Sequence, residues 1–342
     1  MKHGETIFLD NGQGMTMEVM PRGATITDLQ VPDRQGHSAS VVLGYQSIGD
    51  YAVGKGFLGA TVGRIPGRLT RGRFTLDGRE FQLECNNGPN HLHGGSNALD
   101  KREWQVLSRS PDGVTMAYRS PDGEEGYPGT VDLELRYRLV AGNEGGMEVH
   151  DLVIEMTATT DAPTPLSTTN HAYFNLSGGS DPTVDDHLLS IDLDRYVPVV
   201  DEAMTLSDNV VPVAGTEADL RQLQPLGEAI SRVYRQHGDN YVIRVTGEEN
   251  TGLRRIARAV HPPSGRVMDV LTDCTNVQFF GGHYLLPEPL GRTGRPIPPR
   301  AGFCLECQGY PNGPNHPEID DIILRPGEVY SRTTIYRFSV QP

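Results

Sequence analysis

A single glutamate inside an apolar run is the residue with most chemistry to offer. In Phe303-Cys304-Leu305-Glu306-Cys307-Gln308-Gly309, strand alternation with Leu305 toward a core turns Glu306 the other way, beside Cys304 and Gln308. A carboxyl among such neighbours loses solvation, which raises its pKa and suits it to act as a general base near neutrality. The ordinary alternative is an exposed strand carboxylate. A second segment, Thr169-Asn170-His171-Ala172-Tyr173-Phe174-Asn175, sets a histidine beside aromatic rings that could pack on an apolar ring face. Histidine titrates near neutrality unaided, so His171 is the natural general acid; a structural imidazole bonded to a backbone carbonyl is the alternative. Arg64-Ile65-Pro66-Gly67-Arg68 brings two guanidinium forks onto a Gly/Pro-rich loop, a match for carboxylates, phosphates or vicinal hydroxyls as well as for surface ion pairs. Gly238-Asp239-Asn240-Tyr241 offers polar groups on a turn, where Asp and Asn ordinarily just hold the turn.

Metal and covalent chemistries find less support. His91-Leu92-His93 in a strand would point both imidazoles to one face, a metal-ligand geometry. The next carboxylates, Asp100 and Glu103, are too distant for the cupin-like pattern. Gly94 and Gly95 after it suggest a backbone that passes close to something. Cys304 and Cys307 are spaced so that a strand sends them to opposite faces, which opposes a disulfide or shared ligation. Cys85 and Cys274 are isolated. Only three of the 30 basic residues are lysine, namely Lys2, Lys55 and Lys101, and Schiff-base chemistry needs a desolvated one. No cofactor motif is present.

The elements that must position these groups are strands. In Val131-Asp132-Leu133-Glu134-Leu135-Arg136-Tyr137-Arg138-Leu139 each odd residue is apolar and each even one charged, as in a strand with one wet face. Phe74-Thr75-Leu76 and Phe81-Gln82-Leu83 flank Asp77-Gly78, a tight-turn pair. Ser-Pro-Asp-Gly occurs at 110–113 and 120–123, with Pro preset for a turn. Helical periodicity is scarce; the best stretch, about 217–233, is interrupted by Pro225 and Gly227. The reading is an all-β chain, one large antiparallel β-sandwich spanning 1–342 as a single domain. Polar, non-alternating segments break the strands at 59–73, 86–95, 167–178, 237–241 and 303–315, where function tends to sit.

With 342 residues and a net charge of −14, the chain can bury a sizeable core and repels phosphate backbones and anionic lipid. Nucleic-acid and membrane-surface roles are thereby disfavoured. The first residues lead into no apolar run, and four cysteines suit a reducing compartment. A cytoplasmic location is the expectation.

Taken together, the motifs resemble the aldose 1-epimerase (galactose mutarotase) family. The matching blocks are Gly59-Ala60-Thr61-Val62-Gly63-Arg64 with Arg68, Leu92-His93-Gly94-Gly95, Gly126-Tyr127-Pro128-Gly129, Asn170-His171-Ala172-Tyr173-Phe174-Asn175-Leu176, Asp239-Asn240, Val277-Gln278-Phe279 and Phe303–Gln308. Each block alone is unspecific; their order and spacing across 59–315 carry the resemblance. It implies a β-supersandwich with an open sugar cleft and interconversion of the α- and β-anomers of a free aldose such as galactose or glucose. It further implies Glu306 as catalytic base, His171 as general acid, His93 near the ring oxygen, and Arg68, Asp239 and Gln278 on the sugar hydroxyls. No metal or other cofactor is implied, and the expected partner is a monosaccharide bound by a monomer or homodimer. One departure stands out. The family usually has Asn before the arginine where this chain has Gly67, which suggests a vacant space and a broader sugar preference. Three other readings stay open. They are a hexose-phosphate epimerase using Arg64, Arg71 and Arg73, a β-sandwich glycosidase or lyase pairing Asp239 with Glu306, and a non-catalytic sugar-binding module.

Overall fold

The computed structural model describes residues 6–201, 203–232, 238–287 and 289–341; Lys2, His237 and position 233 lie outside them. The alternation at 131–139 folds as read. Val131–Glu144 is one fourteen-residue strand whose odd positions through Leu139 are buried, each such side chain contributing about 1.5–3 kcal/mol. It pairs antiparallel with Met147–Thr160, which pairs in turn with Tyr330–Val340. These three strands centre a nine-stranded sheet running from Gln105–Ser110 at one edge to Gln224–Pro225 at the other. Arg73–Leu76 and Arg79–Gln82 form the expected hairpin. Asp77 and Gly78 both take positive φ, at 49° and 79°, as the tightest hairpin turn requires. Alpha-helix is confined among the described residues to Leu226–Arg232, beginning immediately after Pro225. No helix among them is long and apolar enough to cross a membrane.

Two further sheets close over the large one. The first has four strands, from Ile7–Asp10 to Ser38–Ser40. The other has five, in the order Val211–Pro212, Arg195–Val197, Asn240–Val242, Asn276–Phe280 and Cys304–Gln308. Leu9, Leu135, Tyr241, Val277 and Leu305 share one buried apolar cluster, so all three sheets contribute to a single core. The fold is a large antiparallel β-sandwich.

The five-stranded sheet matters most for function. Its core face carries Tyr241, Val277, Phe279, Leu305 and Cys307. Register pairs Asn240 with Gln278 and Gln278 with Glu306. Directly opposed residues share a face, so the reverse side carries a row of polar groups. That row includes Asn276 and Gln308, both fully buried.

Candidate active site

Glu306 stands on this polar face, 3% exposed, at the floor of a cleft of about 440 Å³. Strand alternation alone places it there, with Cys304 and Gln308 on its own side as expected. His171 follows the short strand Thr169–Asn170, which pairs with Thr61–Val62. The His171 amide donates to the Ala60 carbonyl and its own carbonyl accepts from Gly59 N–H, so two backbone bonds fix the imidazole. Its Nε2 lies 3.6 Å from Glu306 Oε2, and its Nδ1 is 3.6 Å from Cys304 Sγ. His93 crosses the His171 ring edge-on at 5.1 Å.

His93 is held in a particular tautomer. The Gly67 amide donates to His93 Nδ1 at 3.1 Å, so in the neutral ring the proton sits on Nε2. His93 therefore offers the cleft a donor. Gly94 behind it can have no side chain, because a Cβ there would collide with the Gly63 carbonyl; this is the close backbone approach foreseen at 94–95. Arg68 lines the cleft with its Nε donating to Asn87 Oδ1 at 2.9 Å. Gln278 lies directly opposite Glu306 on the next strand.

Electrostatics set the protonation of the pair. Burial pushes the Glu306 carboxyl up to about 8, with the Arg68 guanidinium pulling the other way. Burial also drives the His171 imidazole down to about 4. Between those two values Glu306 and His171 together hold one proton, and they titrate as a unit.

Five of the six site residues singled out in the sequence thus converge: Glu306, His171, His93, Arg68 and Gln278. Asp239 is not among the lining residues. It lies immediately before the strand Asn240–Val242, and its buried carboxyl is pushed up to about 7, first by burial and then by Glu217. Aromatic residues complete the wall, among them Phe57, Tyr173, Phe280 and Tyr284. Phe57 was not legible beforehand, since its φ of 55° has no signature in a lone Phe between glycines.

Other expectations are corrected. His91 and His93 do not share a face. The strand ends at Leu92, His93 takes φ 51°, and His91 spends both ring nitrogens on Glu84 O and Tyr127 Oη, each at 2.7 Å. His93, His171 and Glu306 do bring three ligand-type atoms within 4.8 Å of one another. With the His93 lone pair engaged by Gly67 and a proton on Nε2, that set presents an N–H where a metal needs a lone pair. Arg64 is no cleft residue either, being 2% exposed and wholly inside the protein. All four cysteines are free.

The space expected at residue 67 is filled. Gly67 has φ +75°, and a Cβ there would sit 2.6 Å from Pro311 Cγ. Gly67→Asn should therefore lower kcat/KM by a similar factor for galactose, glucose and arabinose, through the His93 contact. Selective improvement for one sugar in coupled-assay kinetics would restore the specificity reading.

Known proteins resemble this chain in sequence and in fold. A family model described as Aldose 1-epimerase matches residues 5–337. The chain belongs to the aldose 1-epimerase family. Galactose mutarotase from Rattus norvegicus is 41% identical over 330 residues, covering 95% of this chain and 92% of that one. Aldose 1-epimerase from Escherichia coli (strain K12) is 33% identical over 339 residues, covering 97% and 94%. Among solved structures, the GalM/aldose epimerase homologue from C. elegans superposes with a TM-score of 0.89 at 28% identity, over 99% of this chain and 100% of that one. Membership makes the chain an isomerase of the mutarotase type, an enzyme that interconverts aldose anomers.

Proposed function

We propose that the chain acts as one cytoplasmic catalytic domain that interconverts the anomers of a free monosaccharide, with Glu306 as base and His171 as acid. The observation that carries this reading is the buried Glu306–His171 pair, 3.6 Å apart, at the floor of a cleft large enough for one pyranose. Glu306 takes the proton of the C1 hydroxyl while His171 protonates the ring oxygen. The ring opens to the aldehyde, rotates about C1–C2, and closes with the two proton transfers reversed. His93 Nε2–H points a donor at the ring oxygen side, and Arg68 and Gln278 hold hydroxyls. In the sugar complex the single proton of the pair lies on His171, because Arg68 and the sugar hydroxyls stabilise the Glu306 carboxylate, which in turn stabilises the imidazolium.

Free sugar fits better than its phosphate. Arg71 and Arg73 are exposed and do not line the cleft, and Arg64 is buried behind it. Among the described residues that line the cleft Glu306 is the only carboxylate, which favours this reading over the paired-carboxylate chemistry of a glycosidase.

Polarimetry on freshly dissolved α-galactose and α-glucose with EDTA-treated protein tests the proposal. The expected result is accelerated decay of rotation at undiminished rate after chelation. Activity lost with EDTA and recovered with zinc would replace the side-chain mechanism by a metal-dependent one.

The pH profile follows from the one-proton pair. Above about 8 the pair loses that proton and no acid remains; below about 4 it gains a second and no base remains. A bell-shaped kcat/KM is expected, with limbs near those two values and about tenfold loss per pH unit beyond each. A profile flat from pH 4 to 10 would show that neither group is required.

A further inference from the structure

We propose that Phe57 is a positioning residue, a ring that covers His171 and His93 and keeps water off the imidazole facing Glu306. The proposal rests on Glu306 and His171 being the acid–base pair. Four observations converge on this side chain. Its ring lies over His171 at 5.8 Å, nearly parallel at 29°, and against His93 at 4.8 Å. Its surroundings also include the Lys101 ammonium, 5.5 Å from the ring centroid and itself anchored on Asp100 Oδ2 at 2.8 Å. The ring is half-buried and lines the cleft, so it separates the two imidazoles from solvent.

The backbone supplies the fourth. Phe57 holds φ +55°, a left-handed conformation that a bulky non-glycine residue adopts only when its surroundings over-determine it. Gly54 and Gly56 precede it, and Gly56 N–H donates to Tyr45 Oη at 3.3 Å. The Phe57 carbonyl accepts from Ala60 N–H. A loop strained in this way around an aromatic side chain places that ring deliberately.

Other groups facing His171 are Glu306, His93, Tyr173 and Cys304, with Arg68 beyond Glu306. Among the rings near His171, Phe57 is the one that also packs on His93 at 4.8 Å. Removing the ring should admit water there and return the imidazole toward the ordinary histidine value of about 6.5. By the sign worked out above, a second proton then enters the pair at higher pH, so the acidic limb climbs.

The test compares Phe57→Ala, Phe57→Leu and Phe57→Tyr by kcat/KM against pH, with the His171 imidazole titrated independently by NMR of labelled protein. Phe57→Ala should move the acidic limb up by one to two units, so that kcat/KM at pH 5 falls by about twofold to tenfold relative to the variant's own plateau value. Phe57→Tyr should keep the wild-type limb, and Phe57→Leu should fall between. An unmoved His171 titration in folded Phe57→Ala would overturn the proposal whatever the activity. Wild-type turnover in His171→Asn would instead overturn the acid–base reading beneath it.

Discussion

Glu306→Gln should reduce kcat by about 10²–10⁴ while leaving KM within a few-fold, since general acid–base assistance is typically worth that much. The amide preserves shape, and no other carboxylate lines the cleft among the described residues. His171→Asn should produce a loss of the same order, because the ring oxygen then has no acid. The two residues act on one proton inventory, so the double variant should be scarcely worse than the poorer single one. Glu306→Gln should also erase the alkaline limb near pH 8, which belongs to the carboxyl. Stopped-flow polarimetry or a coupled dehydrogenase assay resolves all of these. A Glu306→Gln enzyme with more than a tenth of wild-type kcat would remove Glu306 from proton transfer.

This result bears on how the pair is tuned. Desolvation disfavours charge on both partners, raising the carboxyl and lowering the imidazole. The site thus sits in a wide pH window with one mobile proton between two groups 3.6 Å apart. Mutarotation needs no net proton. Each half-reaction moves one proton onto the sugar and one off it, so a pair that holds one proton before and after is suited to run the step in both directions.

Much of this was legible in the chain. Period-two alternation places Glu306, Cys304 and Gln308 on one face because a strand leaves no other choice, and the same rule built the Val131–Glu144 strand. The convergence of segments 59–73, 86–95, 167–178 and 303–315 was legible only as a set of polar interruptions, since proximity across hundreds of residues is a tertiary fact. Where reasoning failed, the backbone at a single residue was enough. His91-x-His93 failed because positive φ at His93 ends the strand between them. Gly67 read as an open space, yet its own N–H fixes His93 and Pro311 occupies the volume. No local signal announces such contacts.

Arg64 is the other case where composition misled, and it yields a large expected stability effect. A guanidinium in a Gly/Pro-rich loop reads as a surface group, but this one is buried and fully spent. Nε donates to Ser120 Oγ at 3.0 Å. Nη1 donates to the carbonyls of Pro128 and Gly129, both at 2.9 Å, and to Thr164 Oγ1 at 3.2 Å. Nη2 donates to Ser120 O, Ser120 Oγ and Pro121 O at 3.0, 2.8 and 3.1 Å. One side chain therefore satisfies acceptors on three chain segments, and its own carbonyl accepts from Ser167 N–H at 2.7 Å, tying it to the segment that carries His171. Arg64→Met keeps most of the volume and strands these acceptors without water. Each buried unpaired group costs about 1–3 kcal/mol, and breaking a buried charged network costs about 3–5 kcal/mol in total. Arg64→Lys should recover little, because a point ammonium cannot span the fork. Urea unfolding of both variants would measure this, with the midpoint falling well below wild type. The molecules that remain folded should retain kcat within a few-fold, since no atom of Arg64 lines the cleft. A Met variant as stable as wild type would mean that the carbonyls find other donors and that Arg64 is not what joins the three segments.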